Sequence, residues 1–393
     1  MTKTETGVDP LAQNALAPLI AEGLYSFEIG GGERVGANLA LAFVRRGYRV
    51  TVFAMYGEHG PIRDELEEQD IRCVGLNYLA GSRWSRRLTY PFRIAAFLRR
   101  ERAVALHVHY GTALIVIAWG AMLARVSRTV MTEHALHQYL ESPKYMRQIR
   151  IAAVFAQFVT GVNSSIVEFF RTRVGVAPDR AVFIPNGVQV PLNQLQRNMQ
   201  MRRDLEVHDD DFLFVFVGRL HPTKDIPTLL RAFAQVRLQP DSNARLWIVG
   251  DGAERAALEV LAERLLVSAR VTFLGQRTDV RQILCAADTL VMSSITEGAP
   301  MVLLEAMAQR VPCIATSVGA IPELLLPDCG LVVGPRSPDE LAAAMTRMLS
   351  DGALRDSVRH RAFTRVATNY DIEKTVDQYL NLLGLPARWM PET

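Results

Sequence analysis

Short, continuously apolar runs alternate with longer helical patterns along the whole chain, and this alternation leaves few folds open. In the first half AEGLYSF is followed by the helical ERVGANLALAFVRRG and the strand-like YRVTVFAMY, with ALHVHYG, TVMTEH, FVTGVNSS and AVFIPNG later. In the second half FLFVFVGRL, ARLWIVGDG, VTFLGQ, DTLVMSS, VPCIAT and CGLVVG are each separated by a helical stretch. A strand with no polar alternation is buried on both faces, which implies a parallel sheet covered by helices on both sides. Residues 188–210 carry no strand pattern and end in an acidic turn. The 393 residues therefore divide into two doubly wound α/β domains, 1–190 and 191–370, expected to face each other across a cleft, with 371–393 as a terminal helical segment.

Composition narrows the class further. Hydrophobic residues at 49% and charged residues at 22% exclude a disordered, collagenous or coiled-coil chain. The net charge of +3 gives no case for nucleic acid. It is unevenly spread, however: residues 1–190 hold 22 Lys and Arg against 16 Asp and Glu. Cys73, Cys285, Cys313 and Cys329 show no metal or disulfide spacing. The first residues lack a signal-peptide pattern, and the longest apolar run, Ala113–Ala124, is too short to span a membrane. A cytoplasmic protein is expected.

Ligands of such sheets bind at the carboxyl ends of strands, beside helix N-termini. Gly30, Gly31 and Gly32 follow the first strand there, with Glu33 read as opening the next helix. Glycine admits a phosphate close to the backbone, but the second strand lacks the acidic residue that a dinucleotide ribose needs. The open choices are a phosphate-facing loop and a plain turn. Arg219 closes another strand and Lys224 lies five residues on, a pair suited to a diphosphate or to solvated surface charge. The strongest signal is SSITEGAPMVLLEAMA. Pro300 marks a first helical position, so Glu297 sits in the preceding loop and Glu305 about a turn and a half into the helix, buried among Leu303, Leu304 and Met307. Paired carboxylates suit the hydroxyls of a polyol. The bland alternative, an acid favouring a helix N-terminus, accounts for Glu297 but not Glu305.

Three weaker patterns remain. His107 and His109 share a strand face, and Glu133, His134 and His137 follow another strand, so a metal-dependent hydrolase is an alternative, although neighbouring carboxylate ligands are scarce. Asp209, Asp210 and Asp211 read as a solvated acidic turn rather than a magnesium site. Residues 83–102 carry seven arginines and one acid, Glu101, interleaved with Trp84, Tyr90, Phe92 and Phe97. That suits an anionic membrane surface, or an ordinary helix with a basic face.

From about residue 20 to 375 the ordered motifs resemble the retaining glycosyltransferases of family 4, with the GT-B fold of two Rossmann-like domains. EIGGGERVGANLA is similar to the family's GGAER loop. TEH, IPNGV, FVGRLHPTKD, IVGDG, VTFLGQRTDV, EGAPMVLLEAMA and SVGAIPELL follow in family order. The resemblance implies that Arg219 and Lys224 hold the diphosphate of a nucleotide sugar, and that Gly31 and Gly32 close over the same phosphates. It places Glu305 on the ribose, and Glu297 on the donor sugar with Gly298, Ala299, Pro300 and Met301. His134 lies near the reacting centre, and Leu274, Gly275 and Arg277 border the nucleobase. The family reaction is front-face displacement, in which the leaving phosphate helps deprotonate the acceptor, so no metal and no cofactor are expected and UDP is favoured over GDP. The C-terminal helix, residues 371–385, is expected to cross back onto the N-terminal domain. Arg310, Ala320 and Asp225 stand where the family usually has glycine.

The expected activity is transfer of a sugar to a saccharide or lipid-linked saccharide, in exopolysaccharide, capsule or lipopolysaccharide synthesis, at the inner membrane face. The rivals are a nucleotide-sugar epimerase or phosphorylase-like enzyme on the same fold, a non-catalytic sugar-binding subunit, and the metal-dependent hydrolase.

Overall fold

The computed structural model describes residues 17–77, 83–136, 139–140, 142–191, 197–238 and 242–390. His137 lies outside the described residues, as do the side chains of 83–88, Trp84 among them. The chain divides into two compact units, residues 1–187 with 372–393, and residues 188–371.

The first unit is built on a seven-stranded sheet: β1 (Leu19–Leu24), β2 (Arg49–Ala54), β3 (Arg72–Gly75), β4 (Ala103–His109), β5 (Arg128–Glu133), β6 (Phe158–Gly161) and β7 (Ala181–Phe183). Their order is β3-β2-β1-β4-β5-β6-β7, and every described pairing is parallel. β3 escapes the sequence reading because its four residues, RCVG, form an edge strand with an exposed Arg72. Helices from Gly31–Arg45 to Pro143–Phe155 connect the strands. The helix Ile372–Leu382 packs against Gly31–Arg45. It is tied there by Arg46 Nε to Glu373 Oε2 at 2.8 Å and Arg46 Nη1 to Asp377 Oδ1 at 2.8 Å.

The second unit has six parallel strands: β8 (Phe212–Val217), β9 (Ala244–Val249), β10 (Val271–Gly275), β11 (Thr289–Met292), β12 (Cys313–Thr316) and β13 (Leu331–Val333). Their order is β10-β9-β8-β11-β12-β13. Phe214, Phe216, Leu229, Leu246, Ile248 and Ile314 are fully buried between sheet and helices, as uniformly apolar strands require. Asp211 departs from the solvated turn expected of it. It is 7% exposed, paired with Arg245 at 2.5 Å and Arg270 at 3.3 Å, and anchors the entry to β8 instead of lying in a solvated turn.

In each sheet the strand order reverses once, between β1 and β4 and between β8 and β11. Loops leaving neighbouring strands diverge at such a point and open a crevice.

Candidate functional site

At the β8/β11 reversal the chain turns sharply after Val217. Gly250, at φ +131°, lets the β9 turn lie against it: a Cβ there would stand 2.8 Å from the Gly218 carbonyl carbon. Gly218 N donates to Val249 O and Leu220 N to Asp251 O, each at 2.9 Å. Arg219 is thereby exposed, and it forms no ion pair among the described residues. A short turn, Pro222–Lys224, follows. Lys224 Nζ then meets Glu297 Oε1 at 2.5 Å, with side-chain exposures of 23% and 9%. Ser294 Oγ donates to the same oxygen at 2.6 Å. Two bonds fasten the loops together, Ser293 Oγ to Lys224 O at 2.8 Å and Ile295 N to Thr223 O at 2.9 Å.

Glu297 is also held from behind. Gly319 has φ +56°, and a Cβ on it would stand 2.7 Å from the Glu297 carbonyl carbon. Ala320 sits in ordinary helical backbone (φ −79°), so the alanine costs nothing there, and its N–H donates to Gly298 O at 2.8 Å. Pro300 is not the first helical residue. Its ψ of 118° puts it at the cap, and the helix runs Met301–Ala308. Glu305 is therefore about one turn in. It is half-buried, not enclosed: Leu303, Leu304 and Met307 are fully buried, while Glu305 shares the Met301 side of the helix. Ala299 is half-buried in the loop just before this cap.

Leu274 and Gly275 lie beside the β9 turn, where Gly275 O accepts from Gly250 N at 2.7 Å. Arg277 is not a free cation: its guanidinium grips Asp279 through two bonds of 2.8 and 2.6 Å. Hydrogen bonding to Arg277 holds the Asp279 carboxyl below the usual carboxylate range.

At the β1/β4 reversal the glycine run opens a helix. Gly30 is the extended cap and Gly31, not Glu33, is the first helical residue. Gly31 is open, with nothing within 4 Å of a Cβ built on it. Gly32 is crowded, and a Cβ there would stand 2.6 Å from Tyr110 Cζ and 2.9 Å from His134 Cδ2. Gly36 leaves room for His109, whose Nε2 would lie 3.0 Å from a Cβ. Tyr110 itself has φ +71°, unusual for an aromatic residue, and its hydroxyl lies 3.4 Å from Glu33 Oε2.

Behind these residues runs a buried polar row that sequence reasoning did not assemble. Glu22 on β1 pairs in register with His107 on β4, His109 with Thr132 on β5, and Thr132 with Thr160 on β6. His134 Nε2 lies 2.7 Å from His109 Nδ1, and His109 Nε2 lies 2.6 Å from Glu22 Oε1. His107 Nδ1 stands 3.1 Å from the same oxygen but off the line of a hydrogen bond, while its Nε2 bonds Thr132 Oγ1 at 2.7 Å. Thr132 Oγ1 meets Thr160 Oγ1 at 2.6 Å and Tyr379 Oη at 3.0 Å. Burial works against the Glu22 charge more than any other single factor. The two histidines nevertheless hold its carboxyl below its ordinary value. Burial pulls His109 down and His134 well down, so both rings are neutral at pH 7.

Glu22, His107 and His109 bring ligand atoms within 4.8 Å of one another, a set with metal-ligand chemistry. Both nitrogens of His109, His107 Nε2 and Glu22 Oε1 are engaged in the row itself, and we assign no metal to the set. Glu133 is likewise turned to its own backbone, accepting from Tyr139 Oη at 2.5 Å and from the N–H groups of Gly111 and His134 at 3.1 Å. It fixes the loop that carries His134.

Comparison with known proteins agrees with both sheets. The model of the family described as Glycosyltransferase Family 4 matches residues 29–190, and that described as Glycosyl transferases group 1 matches residues 198–365. The N-acetyl-alpha-D-glucosaminyl L-malate synthase of Bacillus anthracis is 28% identical over 303 residues, 74% of this chain and 77% of that protein. The lipopolysaccharide core biosynthesis glycosyltransferase LpsE of Rhizobium meliloti is 25% identical over 363 residues, 90% of this chain and 96% of that one. The crystal structure of Anabaena Alr3699/HepE in complex with UDP-glucose superposes with a TM-score of 0.79 at 22% identity, covering 93% of this chain and 99% of that chain.

Proposed function

Because the chain belongs to glycosyltransferase family 4, with the two parallel-sheet units of the GT-B fold, we propose that it moves a sugar, with retention, from a nucleotide-diphosphate sugar to a saccharide or lipid-linked saccharide. The observation that carries this reading is the Lys224–Glu297 pair next to the exposed Arg219. A diphosphate arriving there takes the Lys224 ammonium from Glu297 and adds Arg219. The freed carboxylate, still held by Ser294, then accepts from hydroxyls of the donor sugar. Glu305 serves the ribose hydroxyls. As the bond from the anomeric carbon to phosphate oxygen breaks, the acceptor oxygen bonds to the same face of that carbon. The acceptor proton passes to the departing phosphate, whose growing charge the two cations stabilise.

UDP is the preferred nucleotide, in line with the UDP and UDP-glucose complexes of Anabaena HepE. An acceptor in surface-polysaccharide synthesis is in line with the named role of LpsE. One surface feature favours contact with a membrane face. Phe92 (66% exposed), Trp119 (52%) and Val154 (73%) project from the neighbouring helices Arg83–Glu101, Gly111–Ala124 and Pro143–Phe155. Among the described residues no helix is long and apolar enough to cross a membrane.

A thermal-shift screen of UDP, GDP, ADP and CMP, with and without EDTA, tests the donor assignment. A ligand at 100 times its Kd adds about 2.7 kcal/mol to the unit that binds it. We expect UDP to stabilise the protein equally in EDTA, and Lys224→Ala to lose most of the shift. No response to any diphosphate contradicts the assignment.

A further inference from the structure

The buried row behind His134 determines more than packing. We infer that Glu22 and His109 are positioning residues that fix which nitrogen of His134 carries the proton, so that His134 offers a bare Nδ1 to a ligand hydroxyl. The inference rests on the proposed function for the identity of that hydroxyl, a sugar's. The proton arrangement itself belongs to the free protein.

An ionised carboxylate only accepts, so at 2.6 Å from Glu22 Oε1 the His109 Nε2 must carry a proton. Among the described residues Glu22 Oε2 has no hydrogen-bond partner and Glu22 is fully buried, so its charge is met there from the histidine side. His109 is also fully buried, with the His107 ring 4.5 Å away, an environment that opposes a second proton on the imidazole. A neutral His109 protonated on Nε2 has a lone pair on Nδ1. At 2.7 Å from that lone pair, His134 Nε2 is the donor. A neutral His134 then has Nδ1 free of protons, and that atom makes no hydrogen bond among the described residues. Such a nitrogen accepts from a hydroxyl and repels a phosphate oxygen, which separates the task of His134 from that of Lys224 and Arg219.

The inner end of the row is closed. Thr132 and Thr160 join it to Tyr379, which is 1% exposed and whose ring lies 4.5 Å from His107. The C-terminal helix Ile372–Leu382 thus supports the ring stack that carries His134.

Long-range 15N–1H correlation NMR on 15N-histidine protein, free of nucleotide at pH 7.5, reads the tautomer directly, with His134→Gln supplying the assignment. We expect the proton on Nε2 of His134. In Glu22→Gln the side-chain amide donates to His109 Nε2, so His109 turns its proton to Nδ1 and His134 is left protonated on Nδ1. Turnover should then fall on the order of a hundredfold, with KM for the nucleotide sugar little changed, because the hydroxyl acceptor is lost while the phosphate site is intact. Glu22→Asp, which keeps the charge, should retain the wild-type tautomer and restore part of the rate. A proton on Nδ1, or on both nitrogens, in the wild type overturns the inference. So does an unchanged His134 tautomer in folded Glu22→Gln. The wild-type spectrum decides even where a variant fails to fold. A tautomer found as expected in a protein that transfers no sugar would uphold the proton arrangement and refute the proposed function.

Discussion

Alanine at Gly32 and alanine at Gly31 should have opposite consequences, although the two glycines are neighbours in one helix turn. At Gly32 the new methyl would stand 2.6 Å from Tyr110 Cζ and 2.9 Å from His134 Cδ2. The Tyr110 hydroxyl is nearer still, so restoring ordinary contact near 3.4 Å moves the tyrosine by at least about 0.8 Å and the histidine ring by about 0.5 Å. Tyr110 is hemmed in by Tyr25, Glu33 and His134, so it has little room to swing. Over-packing of this kind costs about 1–3 kcal/mol. For a unit of about 200 residues that lowers Tm by roughly 2–12 °C. Displacing His134 by half an ångström should also reduce turnover by tenfold to about a hundredfold. At Gly31 the methyl meets nothing within 4 Å and the backbone is ordinary helix, so alanine should stabilise the fold by about 0.4–1 kcal/mol. Its cost falls on the ligand: a phosphate drawn to this helix N-terminus would meet the methyl. Calorimetry and UDP release on both variants give the test. Gly32→Ala with wild-type Tm and rate would refute the packing argument. Gly31→Ala with full activity would show that no phosphate approaches that glycine.

Asp225 has φ +45° and a buried Oδ2 with no partner among the described residues, so Asp225→Gly should raise the stability of the second unit by about 1 kcal/mol, read as a higher urea midpoint. Arg310 at φ +60° carries a similar strain, offset by its guanidinium 3.6 Å above the Phe363 ring; a double-mutant cycle between Arg310→Gly and Phe363→Ala should therefore show coupling of about 0.5–1 kcal/mol. His109 and His134 have folded pKa values below their unfolded 6.5, so below pH 6.5 the unfolded chain binds protons that the folded one refuses. Stability of the first unit should fall as pH drops below 6.5, by up to about 1.4 kcal/mol per pH unit for each histidine, and His134→Gln should remove one share of that slope in urea titrations. Sedimentation with anionic vesicles should carry the wild type down and leave Phe92→Ser largely in solution at 0.15 M salt; equal binding of both variants contradicts membrane contact through that helix.

Local pattern made most of the strands legible, because a parallel strand buried on both faces has only apolar residues to show. It also exposed Glu297 and Glu305, since acids beside a helix start and inside an apolar helix are conspicuous. β3 was hidden by being short and at an edge. Glu22 was hidden differently. One acid within LIAEGL has no local meaning, and it becomes part of a row only because β1 lies beside β4, where Glu22 meets His107, 85 residues on. Tyr379 is farther still, reaching Thr132 from the end of the chain. Asp211 misled for the same reason, since its partners Arg245 and Arg270 arrive from β9 and the approach to β10.

The roles proposed for Lys224 and Glu297 are to serve the leaving diphosphate and the sugar in a retaining transfer. Hydrolysis of an α-linked UDP-sugar with water as acceptor tests it most directly, with UDP and the released sugar followed by 1H NMR before mutarotation. UDP and the α anomer should appear together, unaffected by EDTA, and at least tenfold more slowly in Lys224→Ala. Initial release of the β anomer, or equal UDP release from wild type and Lys224→Ala, would contradict it.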